Sequence, residues 1–224
     1  KIGIHTTGAI EPHMAGPFHM TQRIKNVVTS YVRLGKTVGL LGGEHSITIG
    51  AVQAHVEAHP GLSVLYLDAH ADLRHEYMGT AYGHASAARR AYERCPIALA
   101  GVRSLCEEEH EFIRNNDIPV WYWDPDPQDT GLENLLHNLS DIVYVSVDLD
   151  VLDPSVMSAV GTPEPGGMGW HQLVSLLSKV ADTKRIVGFD VCELAPADGP
   201  PACSYTAAKL VYKLVAYSCR GIGY

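Results

Sequence analysis

Three residues that could hold a metal ion occupy alternate positions at the end of an apolar stretch. Asp68, His70 and Asp72 follow residues 62–67, whose Val, Leu and Tyr content is typical of a buried parallel strand. If the chain stays extended, the two-residue period of a strand places the three side chains on one side. Ionisable groups that meet at a buried strand end disfavour one another unless a cation lies among them. The pattern favours a metal site, and a helix cap or turn is the alternative for this stretch alone.

A second apolar run ends in the same way. Residues 142–147 lead into Asp148 and Asp150, which share a face if the strand continues through them. One such pair of aspartates could belong to a solvated turn. Two matching strand ends make the metal site the better interpretation.

A histidine follows a third predicted strand. Residues 38–41 run into Gly42 and Gly43, and His45 stands just before a helix predicted over 47–59. Two glycines at a strand-to-helix turn let the backbone approach a ligand closely. A phosphate-binding loop is excluded because the Walker lysine is absent and the G-x-G-x-x-G spacing is not met. In a parallel sheet, His45 would lie beside the other two strand ends.

Strands and helices alternate along the rest of the chain. Residues 73–84 are too long and too polar for a tight turn and are interpreted as a loop of the site. The alternation predicts an α/β domain with an open, mainly parallel sheet whose ligands bind at the carboxyl ends of the strands. The predicted helices are 21–34, 47–59, 85–94, 107–115, 131–139, 170–181 and 205–217, and the predicted strands are 38–41, 62–67, 97–102, 120–123, 142–150 and 186–191.

Composition narrows the class of protein. The 224 residues, 46% of them hydrophobic and 19% charged, fit a single α/β domain, and no apolar run reaches transmembrane length. The formal net charge of −8 argues against a nucleic-acid partner and is compatible with a small cationic substrate. The five cysteines are odd in number and form no Cys-x-x-Cys pair, which argues against disulfides and a zinc ribbon. With no recognisable signal peptide, we expect a cytoplasmic protein.

Five motifs stand in order across nearly the whole chain. They are Gly42–Ser46, Asp68–Asp72, Ser146–Asp150 with Asp153–Pro154, Gly161–Gly167, and Asp190–Glu193. Together they resemble the ureohydrolase family of arginases and agmatinases, with agmatinases the more similar branch, and the set in the family's order is far more specific than any one motif. The resemblance implies a three-layer α/β/α fold, a dinuclear manganese site, and hydrolysis of a guanidino group to urea and an amine.

The chain departs from the family pattern at three places. Glu44 stands where Asp is commoner, and residues 158–160 replace a more usual Pro-Gly-Thr. The family's first strand and its glycine-rich turn have no counterpart before Lys1. We therefore expect residues 1–224 to form a single ureohydrolase domain without that strand.

The resemblance implies a specific ligand set for two Mn²⁺ ions per chain. Two imidazoles and four carboxylates without a thiolate suit Mn²⁺ better than structural zinc. A hydroxide shared by the two ions would attack the guanidino carbon, since metal coordination lowers the pKa of water toward ~7. One ion would bind His45, Asp68, Asp72 and Asp148, and the other His70, Asp68, Asp148 and Asp150, with Asp68 and Asp148 bridging.

Two further residues take catalytic roles by the same resemblance. Glu193 would pair with the guanidinium nitrogens, and His84 would carry a proton to the departing amine. For His84 the alternative is an ordinary surface-loop histidine. The three histidines near the N-terminus, His5, His13 and His19, have no spaced partner and are expected to be solvated.

The expected substrate is agmatine, with putrescine as the amine product, which is a step of polyamine synthesis. Arginases hold the amino-acid head group with a Ser-x-Asn and an aspartate, and the matching positions here are Thr80–Tyr82 and Ser104. Thr80 and Tyr82 could instead merely shape the loop. The alternatives are an arginase, a guanidinobutyrase, a dinuclear hydrolase of another guanidino compound or amide, and an inactive relative with a structural or regulatory role. The family also suggests a homo-oligomer, either a trimer or a hexamer.

Overall fold

The computed structural model describes residues 3–123 and 131–220. The predicted domain of residues 1–224 therefore includes three stretches, 1–2, 124–130 and 221–224, that lie outside the described residues. The helices are α1 (Pro17–Val32), α2 (Ile47–Ala58), α3 (Ala87–Tyr92), α4 (Glu107–Asn115), α5 (Gly131–Asn138), α6 (Trp170–Thr183) and α7 (Pro201–Ser218). The strands are β1 (Val38–Leu41), β2 (Ser63–Leu67), β3 (Ile97–Val102), β4 (Val120–Tyr122), β5 (Ile142–Asp148) and β6 (Arg185–Cys192).

Every predicted helix and strand is present, and the differences lie at element ends. Helix α1 begins at Pro17 and α7 at Pro201, each four residues before its predicted start. Proline suits the first helical position because its fixed φ matches the helix and its missing N–H would have no intrahelical partner there. Helix α3 is shorter than predicted because residues 84–86 form a separate 3₁₀ turn.

The six strands form one sheet in the order β1-β6-β5-β2-β3-β4, and every neighbouring pair is parallel. All six carboxyl ends therefore meet at one edge. The chain runs outward from β2 to β4 and then returns to β5 on the other side of β2. A reversal of this kind opens a crevice at the strand ends, which is where ligands bind in such sheets.

Helices cover both faces of the sheet. Along β2, Leu65 and Leu67 pack into a core with α5, α6 and α7, whereas Val64 and Tyr66 pack into a second core with α1 to α4. All five residues of β2 are buried, as expected of a strand covered on both sides. The arrangement is the three-layer α/β/α fold with a parallel sheet that the sequence predicts.

Other features of the described residues fit the composition. The five cysteines are all free thiols. Trp121 and Trp123 contact each other edge to face, with ring centroids 5.3 Å apart, and pack against the core. Among the described residues, no helix combines the length and the apolar character needed to cross a membrane.

Candidate metal centre

The predicted ligands converge at the carboxyl edge of the sheet. His45 lies in the turn between β1 and α2, and Asp68 follows the last residue of β2 directly. Asp148 is the last residue of β5, and Asp150 lies in the 3₁₀ turn that follows. Because β2 and β5 are neighbours in register, with Leu67 opposite Val147, their ends bring these ligands together.

His45 faces three carboxylates through one ring nitrogen. Its Nδ1 lies 3.0 Å from Asp68 Oδ2, 3.2 Å from Asp148 Oδ2 and 3.4 Å from Asp72 Oδ2. All four side chains are buried. Three carboxylate oxygens thus lie within 3.4 Å of one imidazole nitrogen.

His70 faces a second group of oxygens. Its Nδ1 lies 2.9 Å from Asp150 Oδ2 and 3.4 Å from Asp68 Oδ1. The two oxygens of Asp68 are therefore divided, Oδ2 toward His45 and Oδ1 toward His70. The two groups, His45 with Asp68 and Asp72, and His70 with Asp68 and Asp150, each bring their ligand atoms within 4.8 Å of one another and share Asp68.

The backbone reaches this arrangement by a different path from the one predicted. Extended chain does not continue through the ligands, because β2 ends at Leu67 and Asp72 has a φ of 51°. Strand β5 likewise stops at Asp148, whose Oδ1 accepts a hydrogen bond of 2.8 Å from the backbone N–H of Asp150. The extended backbone on which the period-two expectation depended is therefore not continued through these residues. A left-handed residue and a capped 3₁₀ turn bring them together instead.

The electrostatics of the site call for cations. Burial and the neighbouring charges of Asp150 and Asp72 raise the pKa of Asp68 to about 7, and burial likewise raises that of Asp148 well above its usual range. Burial lowers the pKa of His70, but hydrogen bonds to Asp150 and Asp68 outweigh it and raise the pKa to about 11. Asp68 Oδ2 is buried without a hydrogen-bond partner among the described residues. Divalent cations would balance this surplus of negative charge, so the residues fit a metal centre.

Glu193 and His84 lie at different distances from this centre. Glu193 follows β6, and its Oε1 accepts a hydrogen bond of 2.6 Å from the backbone N–H of His45. Burial raises the pKa of Glu193 above its usual value. The His84 side chain is half exposed, and its Nδ1 lies 3.0 Å from Glu44 Oε1. The structure thus places Glu193 against a candidate metal ligand and His84 nearer to solvent.

The predicted head-group positions are engaged in local structure. Thr80 and Tyr77 exchange backbone hydrogen bonds, and the Thr80 hydroxyl accepts the backbone N–H of Tyr82. The Tyr82 ring packs edge to face on Phe18 at 5.0 Å. Ser104 forms an isolated β-bridge with His70. Thr80 and Tyr82 therefore do shape the loop.

The N-terminal histidines only partly match the prediction. His5 is exposed. His13 and His19 stack on each other with ring centroids 5.1 Å apart, and His19 is exposed whereas His13 is partly buried. None of the three forms a hydrogen bond or ion pair with a candidate metal ligand among the described residues.

Three buried polar residues behind the ligands were not singled out from the sequence. The Tyr66 hydroxyl donates to Asp72 Oδ2 at 2.6 Å, Ser146 Oγ lies 2.9 Å from His45 Nε2, and Asp190 accepts from Ser146 at 2.8 Å. Tyr66 and Ser146 are each two residues before a strand-end aspartate. Strand parity could therefore have indicated that they share a face with the ligands.

Comparison with known proteins assigns the family. The model of the arginase family matches residues 1–216. An N(1)-aminopropylagmatine ureohydrolase of Synechocystis is 34% identical over 96% of this chain and 73% of its own length. An agmatinase of Pyrococcus horikoshii is 37% identical over 80% of this chain and 62% of its own length.

A solved structure supports the same assignment. The agmatine ureohydrolase of Thermoplasma volcanium superposes with a TM-score of 0.81 at 33% identity, covering 92% of this chain and 70% of that one. The sequence motifs, the parallel sheet and the cluster of aspartates and histidines agree with these matches. The chain belongs to the arginase family and is a ureohydrolase acting on guanidino compounds, most like the agmatinases.

Proposed function

We propose that this chain is a manganese-dependent hydrolase that cleaves agmatine, or agmatine carrying an aminopropyl group, to urea and an amine. The observation that carries the proposal is the division of Asp68 between two histidines, with Oδ2 3.0 Å from His45 Nδ1 and Oδ1 3.4 Å from His70 Nδ1. A carboxylate placed in this way can bridge two cations.

Two Mn²⁺ ions would share the six ligands. His45, Asp72 and one oxygen of Asp68 suit the first ion, and His70, Asp150 and the other oxygen of Asp68 suit the second. Asp148 would complete the bridge, and its Oδ2 lies 3.2 Å from His45 Nδ1. Carboxylate and imidazole ligands without thiolate suit Mn²⁺. When bound, such a pair supplies a water of lowered pKa and stabilises developing negative charge.

Glu193 would hold and orient the substrate. One of its oxygens is fixed by the backbone N–H of His45. The other oxygen can accept an N–H of the guanidinium, a charge-assisted contact that is stronger than a neutral hydrogen bond. Because the first oxygen is tied to the turn that carries His45, the guanidino carbon would be held at a defined position beside the ligands.

His84 would hold the proton needed by the departing amine. Its Nδ1 is engaged by Glu44, so its Nε2 remains available to donate. Glu44 also accepts the backbone N–H of His84, which fixes the residue at both its backbone and its ring. The Asp-to-Glu departure at position 44 thus provides the side chain that orients this histidine.

The surroundings favour a cationic substrate without an α-carboxylate. Glu44, Glu193 and Glu164, the last with Oε1 3.8 Å from His70 Nε2, add negative charge around the aspartates. The positions that hold an amino-acid head group in arginases are here Thr80 and Tyr82, which the loop itself uses. A buried polar head group left without partners costs about 1–3 kcal/mol, which corresponds to roughly tenfold or greater discrimination.

The relatives justify two candidate substrates rather than one. Agmatine and its aminopropyl derivative share the guanidino group and differ at the far end, which the aspartates do not contact. Values of kcat/KM for both, for 4-guanidinobutyrate and for arginine, measured with added Mn²⁺, test the proposal. We expect one of the first two to be the best substrate, and arginine as the best of the four would contradict it.

We also propose that the protein is cytoplasmic and assembles as a homotrimer or homohexamer. The basis is the family resemblance together with five free cysteines, which suit a reducing compartment. Light scattering on the purified chain tests the assembly. A monomer at working concentration would contradict it.

A further inference from the structure

A chain of hydrogen bonds behind the metal centre ends on a fully buried carboxylate. Asp190, on β6, accepts from Ser146 Oγ at 2.8 Å through Oδ1. Its Oδ2 accepts from Thr48 Oγ1 at 2.9 Å and from the Tyr144 hydroxyl at 2.7 Å. The side chain of Asp190 is completely inaccessible to solvent. Three hydroxyl groups thus donate to the carboxylate, and the Cys192 thiol donates to Oδ1 at 3.5 Å.

Strand register builds this chain of contacts. Tyr66 of β2, Ser146 of β5 and Asp190 of β6 are direct neighbours across the sheet. They form one polar row across three adjacent strands. Tyr66 and Ser146 each lie two residues before an aspartate of the centre, Asp68 or Asp148, on the sheet face that α2 and His45 cover.

The proton positions define the state of His45. A hydroxyl has one proton, and Ser146 donates its proton to Asp190, so toward His45 Nε2 the Ser146 oxygen can only accept. His45 Nε2 must therefore carry a hydrogen. The Tyr66 hydroxyl donates to Asp72 and likewise has no proton left for His45 Nδ1. Nδ1 is left with a free lone pair facing the carboxylates when the ring is neutral.

We propose that Ser146 and Asp190 are positioning residues that fix the tautomer and ring orientation of His45, so that Nδ1 is presented to one of the two cations. The inference rests on the proposed metal-dependent function. Histidine ligands of metals usually donate their second ring N–H to a carboxylate or carbonyl, and losing that partner weakens binding about 10- to 100-fold. Here Ser146 lies between the His45 ring and the Asp190 carboxylate and bonds to both.

Among the described residues, this chain of hydrogen bonds reaches only one of the two candidate histidine ligands, His45. His70 takes no part in it, and its Nε2 lies 3.8 Å from Glu164 Oε1 instead. The His70 side chain is a quarter exposed, whereas His45 is almost completely buried. Disrupting Ser146 or Asp190 should therefore weaken the binding of the ion beside His45. The affinity of the ion beside His70 should stay unchanged and serves as an internal reference.

Manganese binding to the full chain tests the inference without an activity assay. Free Mn²⁺ is counted from its EPR spectrum during titration of the wild type, Ser146→Ala and Asp190→Asn. We expect two equivalents in the wild type. In each variant we expect one equivalent at wild-type affinity and one weakened about 10- to 100-fold. The EPR signal of a coupled ion pair should give way to that of an isolated ion, and Ser146→Thr, which keeps the hydroxyl, should restore the pair.

Ser63→Ala is the matched control. Ser63 is another buried strand serine with a bonded hydroxyl, which accepts from Ser140 Oγ at 3.0 Å, at the opposite end of β2. The Ser63→Ala variant should be less stable than the wild type but should bind both equivalents of Mn²⁺ with unchanged affinity. Variants that keep both equivalents at wild-type affinity, or that lose both together, would overturn the inference alone. A wild-type chain that binds no Mn²⁺ would overturn the proposed function and the inference with it.

Discussion

The carboxylate of Glu193 accepts a hydrogen bond from the backbone N–H of His45, with 2.6 Å between Oε1 and N. The backbone N–H of Glu193 in turn donates to Gly43 O at 2.9 Å. Glu193 holds this place with a φ of 65°, a left-handed conformation that is uncommon for a non-glycine residue and concentrates at functional sites. The end of β6 and the turn after β1 are thus joined at the candidate centre.

Glu193→Gln tests whether this carboxylate binds the guanidinium. Glutamine can still accept the His45 N–H, so metal content should be unchanged. Loss of the charge should reduce the stabilisation of the transition state by about 1.5–3 kcal/mol, which lowers kcat/KM roughly 10- to 150-fold. Glu108→Gln is the control, since Glu108 is an exposed carboxylate that also accepts one backbone N–H, from His75. An equal effect of the two substitutions would contradict the role of Glu193.

His84→Ala should lower turnover by about 10²- to 10⁴-fold and leave Mn²⁺ content intact, because its proposed work is proton transfer. Added imidazole should restore part of the rate. Loss of metal in this variant would make His84 a ligand and would contradict the assignment.

The same assignment predicts a pH effect of Glu44. The hydrogen bond that His84 donates to Glu44 raises the pKa of His84, and the charges of Asp72 and Glu193 act in the same direction. If protonated His84 is the active form, activity is lost as pH rises through that pKa. Glu44→Gln lowers the pKa, so the alkaline limb of kcat should move to lower pH. If the alkaline limb of the kcat profile is unchanged in Glu44→Gln, Glu44 does not control the proton that His84 supplies.

The fold and most of the centre follow from the sequence, for different reasons. Strands such as β2 are predicted by apolar runs of strand length, and the parallel sheet follows from their alternation with helices. The placement of Asp68 and Asp148 follows from their positions at strand ends. The left-handed φ of Asp72 and the capped turn at Asp150 depend on tertiary contacts and leave no periodic signal. Asp190 lay within a recognised motif, but sheet register brings Ser146 to it and the packing of α2 brings Thr48.

Asp148→Ala should abolish activity and weaken both ions, because a bridging carboxylate serves two cations. Asp72→Ala is the comparison, since the proposed ligand set assigns Asp72 only to the ion beside His45, and this variant should weaken the binding of that ion alone. Metal analysis after dialysis distinguishes the two variants. Two retained equivalents and near-normal turnover in Asp148→Ala would show that Asp148 does not bridge.

His55 makes stability depend on pH away from the metal centre. This histidine is buried against Gly188, where any side chain would collide with its ring, and burial lowers its pKa to about 4. The unfolded chain takes up a proton near pH 6.5 and the folded chain near 4, so stability is lost as pH falls through this window. The full loss is roughly 3 kcal/mol.

His55→Phe keeps a ring of similar size and removes the titration. Urea unfolding of the wild type and the variant at pH 7, 5 and 4 gives the difference between them at each pH. That difference should shift in favour of the variant as pH falls. A constant difference would show that His55 does not titrate in this range.

The central claim is that this chain releases urea from a guanidino compound with bound manganese, and the most direct measurement is the product balance. The Mn²⁺-loaded protein, incubated with agmatine or its aminopropyl derivative, should release urea and the corresponding amine in equal amounts. Chelation should abolish the reaction, and added Mn²⁺ should restore it. A protein with two equivalents of bound Mn²⁺ that releases no urea from either compound, from 4-guanidinobutyrate or from arginine would contradict the account.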